Sequence, residues 1–187
     1  SEYPDVTLVL DSKRGDIGST AEHYAREAFV RYGAHAVTVN PYLGTDSVEP
    51  YFDHGGGVLA VCRTSNPGGD DFQSLVAQGR PIYAHVADMV ASRWSKLGDC
   101  GLVVGATYPG ELADVRAIAP DVPILVPGVG AQGGDAASAV EHGATRDGRG
   151  LMVSSSRAVL YAGDGTDFAE AARAEAQRTA ASLRLRS

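Results

Sequence analysis

Two carboxylates and an ammonium fall close together near the start of the chain, in Asp11-Ser-Lys13-Arg-Gly-Asp16-Ile17. Asp11 and Lys13 are two apart, so a strand continuing through them turns both toward one face. Asp16 lies beyond, where the chain turns toward the next helix. Groups of opposite sign in so short a span pair with one another and hold Lys13 charged. The plainer reading is a solvated, charged loop. Two features favour chemistry: Lys13 is one of only two lysines, the other being Lys96, and it directly follows a strand-like run, Val6–Leu10.

A second constellation lies late in the chain. Gly128-Val-Gly130-Ala-Gln132-Gly133-Gly134-Asp135 follows the apolar run Pro123–Val126. Glycines let a backbone approach a ligand closely, and amides ahead of a helix suit a phosphate. The next strand-like run, Leu151–Val153, ends at Ser154-Ser155-Ser156-Arg157, whose guanidinium can hold a phosphate bidentately. A loop with a surface arginine is the alternative. Thr64-Ser65-Asn66-Pro67-Gly68 offers hydroxyl and amide groups to a heterocycle or sugar, though alone such a stretch is more often a turn. The histidines at 23, 35, 54, 85 and 142 show no metal spacing and no nucleophile partner, and Cys62 and Cys100 match no metal or disulfide framework. No metal site is expected.

The elements that position these groups alternate. Short β-branched runs at Val6–Leu10, Ala36–Asn40, Val58–Cys62, Leu102–Gly105, Pro123–Val126 and Leu151–Val153 lack a clean in/out pattern, as strands buried on both faces do. Helix-like segments lie between and after them, at about Ser19–Tyr32, Ser47–Phe52, Ile82–Lys96, Glu111–Ala119, Ala136–His142 and Asp167–Leu185. Such alternation implies a parallel sheet. The polar residues cluster after successive strands, as at the mouth of a (β/α)8 TIM barrel, rather than at one switch point of a doubly wound sheet. Only six β/α units are present, whereas a barrel has eight and about 250 residues. The expectation is that two units precede Ser1 and that residues 1–187 form one domain, the C-terminal three-quarters of a barrel.

The chain has 187 residues, 44% hydrophobic and 21% charged, with a net charge of −7. That balance, without a basic block, argues against general nucleic-acid binding and an anionic membrane surface. No run reaches the roughly 18 apolar residues of a membrane span, and no signal peptide is visible. A cytoplasmic location is expected.

Taken together, these residues resemble the orotidine 5′-monophosphate decarboxylase family, in its longer bacterial subgroup. The carrying pattern is Asp-x-Lys-x-x-Asp-Ile-x-x-Thr, here Asp11, Lys13, Asp16, Ile17 and Thr20, with Val39-Asn40-Pro41-Tyr42, the Thr64–Gly68 stretch, the Pro127–Asp135 loop and Ser155-Ser156-Arg157 in matching order. Gly18 stands where other members often have Pro. The family's first two strands carry an Asp near the ribose and a second Lys of the charged array, and neither has a counterpart here.

The resemblance implies conversion of orotidine 5′-phosphate to uridine 5′-phosphate and CO2 without a metal or organic cofactor. Lys13 would stabilise and protonate the C6 carbanion, with Asp11 orienting it. Asp16, with Ile17 and Thr20, would reach across a homodimer to complete composite active sites. Gln132 and Arg157 would grip the phosphate, and Ser65 the pyrimidine amide. Two other readings stand beside this one: a sugar-phosphate epimerase or decarboxylase of the same barrel superfamily, and a non-catalytic fragment that binds nucleotide phosphate.

Overall fold

The computed structural model describes residues 3–129 and 134–184. Six parallel strands form the main sheet: β1 (Val9–Arg14), β2 (Ala36–Val39), β3 (Gly57–Arg63), β6 (Cys100–Val104), β7 (Ile124–Pro127) and β8 (Leu151–Ser154). They lie side by side in chain order, β1-β2-β3-β6-β7-β8. A doubly wound sheet must reverse its strand order somewhere. Here no reversal occurs, and each crossover advances the sheet in one direction, as in a barrel.

Helices α1 (Gly18–Arg26), α2 (Glu49–Asp53), α3 (Ile82–Ser92), α4 (Pro109–Ile118), α5 (Ala136–Gly143), α6 (Arg157–Leu160) and α7 (Phe168–Ser182) follow the strands. Strand registers sort the side chains onto two faces. Val37, Val58, Leu102 and Ile124 join Ala25, Tyr51, Trp94 and Leu112 of the helical layer in one apolar core. In parallel strands aligned residues share a face and neighbours along the chain alternate. The opposite, inner face therefore carries Thr38 paired with Leu59 across β2 and β3, and Val61, Val103 and Leu125 in register across β3, β6 and β7. Arg63, Pro127 and Ser154 end their strands at the carboxyl pole, and Asp11 lies within β1 where its ladder to β2 is interrupted.

Several sequence expectations are corrected. The first strand starts at Val9, not Val6, and Val6 and Leu8 are exposed. The expected Ser19–Tyr32 helix widens into a π-turn over Glu27–Arg31, and Ile82–Lys96 breaks at Arg93 into α3 and a short 3-10 turn. A hairpin of β4 (Val76–Ala77) and β5 (Arg80–Pro81) was not foreseen. Its two loop residues, Gln78 at φ 51° and Gly79 at φ 80°, both have the positive φ of a type I′ turn, a conformation that Gln rarely signals. The sheet is an open half-barrel: among the described residues β1 and β8 are its edges and do not pair with each other.

At the pole opposite the strands' carboxyl ends, the buried Arg116 replaces an ion pair with a cage of carbonyls. Its guanidinium donates to the backbone oxygens of Gly143, Ala119, Pro120, Val122 and Gly150 at 2.7–3.1 Å. These include orphan carbonyls at the ends of α4 and α5, which would otherwise be left without donors. Burial lowers the Arg116 pKa from its ordinary value.

Candidate active site

The lysine at the mouth of the half-barrel sits in a distorted strand. Val9 and Leu10 pair with Ala36 and Val37, but the next pairing joins Arg14 to Val39. Asp11, Ser12 and Lys13 thus face a single residue, Thr38. The bulge places Lys13 at φ 49°, a left-handed conformation that costs a non-glycine residue about 1–2 kcal/mol. Bulges re-aim side chains at strand ends. Here the Lys13 ammonium turns onto Asp11 Oδ1 at 2.6 Å, with both side chains roughly half exposed toward the mouth. The pair forms as the spacing suggested, yet through a bulge rather than a regular strand. Burial alone would raise the Asp11 carboxyl, but hydrogen bonds from Lys13 and Thr38 and the lysine charge outweigh it and hold the group below its usual range.

Two strands along, Arg63 ends β3 with its side chain only 1% exposed. Its Nε bonds the Glu111 carboxylate at the start of α4, and its Nη2 reaches Asp70 Oδ1 at 2.5 Å. The guanidinium also lies 4.3 Å from the Tyr108 ring centroid. Burial disfavours this charge, but the two carboxylates more than compensate and raise its pKa. Gln73 accepts from Thr64 N–H at 2.8 Å and from Arg63 at 3.3 Å, closing the loop that carries Ser65. A side chain at Gly105 would meet Ser65 Cβ and N at 2.9 Å, so only glycine at the end of β6 lets this loop lie against the sheet.

These loops enclose a cavity of about 470 Å³ lined by Asp11, Lys13, Ser65, Asn66, Ser154 and Arg157, among others. Arg157 forms no ion pair among the described residues. A larger hollow of about 990 Å³ lies between α5 and α7; of the charged residues that line it, Glu175 and Arg178 pair with each other and Asp135 accepts from Ser138 N–H at the start of α5. The smaller cavity is the one that gathers residues singled out in the sequence.

The structure therefore brings together four of the residues singled out in the sequence: Asp11, Lys13, Ser65 and Arg157. Gln132 lies outside the described residues. Asp16, Ile17 and Thr20 do not line the cavity of their own chain; Asp16 accepts from Ile17 N–H at 2.8 Å and Ile17 is exposed. Thr38 escaped notice because a lone threonine inside an apolar strand gives no signal. Arg63, one of several arginines in the chain, carried no signal of its own. Of the histidines, His35 accepts from Leu8 N–H and His54 meets Glu22. Among the described residues no three His, Cys, Asp or Glu side chains gather as metal ligands, and no helix is long and apolar enough to cross a membrane.

Residues 2–173 match the family described as orotidine 5′-phosphate decarboxylase / HUMPS. The chain belongs to that family. Relatives named orotidine 5′-phosphate decarboxylase include one from Janthinobacterium sp., 59% identical over 95% of this chain and 66% of its own length. Another, from Bordetella pertussis, is 61% identical over 92% of this chain and 64% of its own length. The chain thus spans just under two thirds of those family members. Among solved structures, Leishmania donovani OMP decarboxylase superposes with a TM-score of 0.84 at 38% identity, over 95% of this chain and 68% of that one. The UMP synthase of the same organism gives 0.86 at 41%, over 95% of this chain and 40% of that one. The half-barrel is accordingly of TIM-barrel type.

Proposed function

We propose that the protein of which this chain forms the catalytic face decarboxylates orotidine 5′-phosphate to uridine 5′-phosphate in pyrimidine biosynthesis in the cytoplasm. The observation that carries the reading is the convergence of the Asp11–Lys13 pair, Ser65 and Arg157 on one cavity in a member of this family. An archaeal relative from Methanocaldococcus jannaschii, 26% identical with a TM-score of 0.75 over 96% of this chain and 74% of its own, is solved with the inhibitor BMP. That relative is named orotidine 5′-monophosphate decarboxylase, which supports the same substrate here.

Loss of CO2 from C6 leaves an electron pair in the plane of the pyrimidine ring, where the π system cannot delocalise it. A cation fixed beside C6 stabilises that charge as it forms. Lys13 takes this role and then gives its proton to C6. Asp11 holds the ammonium and lies toward the departing carboxylate. Two like charges about 4 Å apart repel by roughly 4 kcal/mol at an effective dielectric of 20. Enzymes lower barriers by about 8–23 kcal/mol, so stabilisation of the carbanion is the larger contribution. Arg157, with Gln132, binds the phosphate, remote binding that can drive loop closure, and Ser65 meets the base amide.

Two β/α units ahead of β1 would complete the eight-stranded barrel and supply the second lysine. A homodimer completes the site: Asp16, Ile17 and Thr20 serve the cavity of the second copy. Its support is a set of exposed apolar residues that follow the carboxyl ends of β1, β2 and β3: Ile17, Tyr42, Leu43, Phe72 and Leu75. Tyr42 and Phe72 already stack edge to face at 5.4 Å.

The test is Lys13→Ala in the full-length protein. Turnover of orotidine 5′-phosphate, followed by CO2 release in EDTA, should fall by about 10³-fold or more while the unfolding midpoint holds. Near-normal turnover would remove Lys13 from the mechanism. Turnover by the parent protein that needs added Mg²⁺ would point to the sugar-phosphate chemistry of the superfamily instead.

A further inference from the structure

We infer that Thr38 is a positioning residue that holds the Asp11–Lys13 pair in its working geometry. The inference rests on the proposed role of that pair. Thr38 is fully buried on the inner face of β2, between Val37 and Val39 of the helix-facing core. It is the single residue opposite the three-residue bulge Asp11-Ser12-Lys13. Its hydroxyl is used twice. Oγ1 accepts from the Lys13 backbone N–H at 2.9 Å and donates to Asp11 Oδ1 at 2.9 Å.

Each bond answers a specific cost. The left-handed Lys13 takes its N–H out of the regular ladder, and the threonine oxygen supplies a partner for it. Asp11 Oδ1 receives the threonine proton as well as the Lys13 ammonium at 2.6 Å, so the carboxylate is gripped from the sheet and from the mouth at once. One side chain thereby fixes both the backbone that launches the lysine and the carboxylate that orients it. Valine has nearly the same shape and could do neither. A bulged, half-exposed pair without this anchor would exchange rotamers freely, and a preorganised charge loses its value when it must reorganise.

The experiment compares Thr38→Val, Thr38→Ala and Thr38→Ser in the full-length protein. Thr38→Val should lower kcat by about 10- to 100-fold, the range for a lost hydrogen bond to a charged group, with KM changed by less than about threefold. Thr38→Ser should restore kcat to within about threefold. Removing the threonine donor weakens the charged form of Asp11, so the acid limb of the rate profile moves to higher pH in Thr38→Val and returns in Thr38→Ser. Thr38→Ala adds no bulk and must show the same upward movement if Thr38→Val fails to fold. Carboxyl NMR of Asp11 reads the same bond without substrate: its titration midpoint rises in both hydroxyl-free variants and not in Thr38→Ser. That readout separates this inference from the decarboxylase reading, whose failure would show as an inactive parent protein. A kcat and an Asp11 titration unmoved by loss of the hydroxyl would overturn the role of Thr38. Equal losses in Thr38→Ser and Thr38→Val, tracking only a fall in stability, would overturn it too.

Discussion

At the scale of single residues, Arg157 offers the sharpest division of labour. It lines the cavity beside Ser154 and Ser156 and is exposed, with no carboxylate to compete for its guanidinium among the described residues. An arginine so placed is free to pair with a phosphate through two parallel bonds. Charge-assisted bonds of this kind contribute about 1.5–3 kcal/mol. Arg157→Ala should therefore weaken uridine 5′-phosphate by about 10- to 100-fold in calorimetry and uridine by less than about twofold. Equal losses for nucleotide and nucleoside would place the phosphate elsewhere. The place of Arg157 at the cavity was legible in the sequence because it closely follows the strand-like run Leu151–Val153, where polar residues cluster. The Asp11–Lys13 pair was legible from its spacing, but the bulge that delivers it was not. A bulge depends on what the neighbouring strand offers, and Thr38 is 25 residues from Lys13 in the chain.

Among elements, the buried Arg63 joins β3, the loop after it and the first turn of α4 into one unit. Its two carboxylate partners remain partly in water, with Asp70 58% and Glu111 27% exposed. Losing the guanidinium leaves them able to rehydrate, so the cost falls below the 3–5 kcal/mol of a fully buried broken pair. Arg63→Met should lower stability by about 2 kcal/mol in urea denaturation and raise KM for the nucleotide, because the Ser65 loop loses its anchor. An unchanged KM alongside the stability loss would show that Ser65 is held by other contacts. Five of the six main strands were readable from their β-branched runs to within two residues at each end, since burial on both faces forces that composition, whereas β1 starts three and ends four residues later than expected. The β4–β5 hairpin was not readable: two-residue strands carry no periodicity, and Gln78 is an unusual occupant of its turn. Nor was the Arg63 unit readable, because the sequence shows Arg63, Asp70 and Glu111 as three scattered charges.

For the molecule as a whole, the placement of Asp16 raises the question of assembly. It belongs to the charged pattern of the family resemblance, yet it does not line the cavity that Lys13 and Asp11 share. The exposed apolar residues Ile17, Tyr42, Leu43, Phe72 and Leu75 follow the carboxyl ends of β1, β2 and β3, which suits a mouth-to-mouth homodimer. In such a dimer each site takes Lys13 from one copy and Asp16 from the other. Full-length Lys13→Ala and Asp16→Ala proteins, each inactive alone, should then complement when mixed. In a mixed dimer one site carries both substitutions and the other carries neither. Equal mixing with free exchange makes about half the dimers mixed, each with one intact site of two, so activity should return to about a quarter of the parent value. Native mass spectrometry verifies that exchange has occurred. Activity indistinguishable from zero in a verified mixture would mean that Asp16 acts within its own chain. The loop following β1 would then have to fold back toward Lys13 when the nucleotide binds.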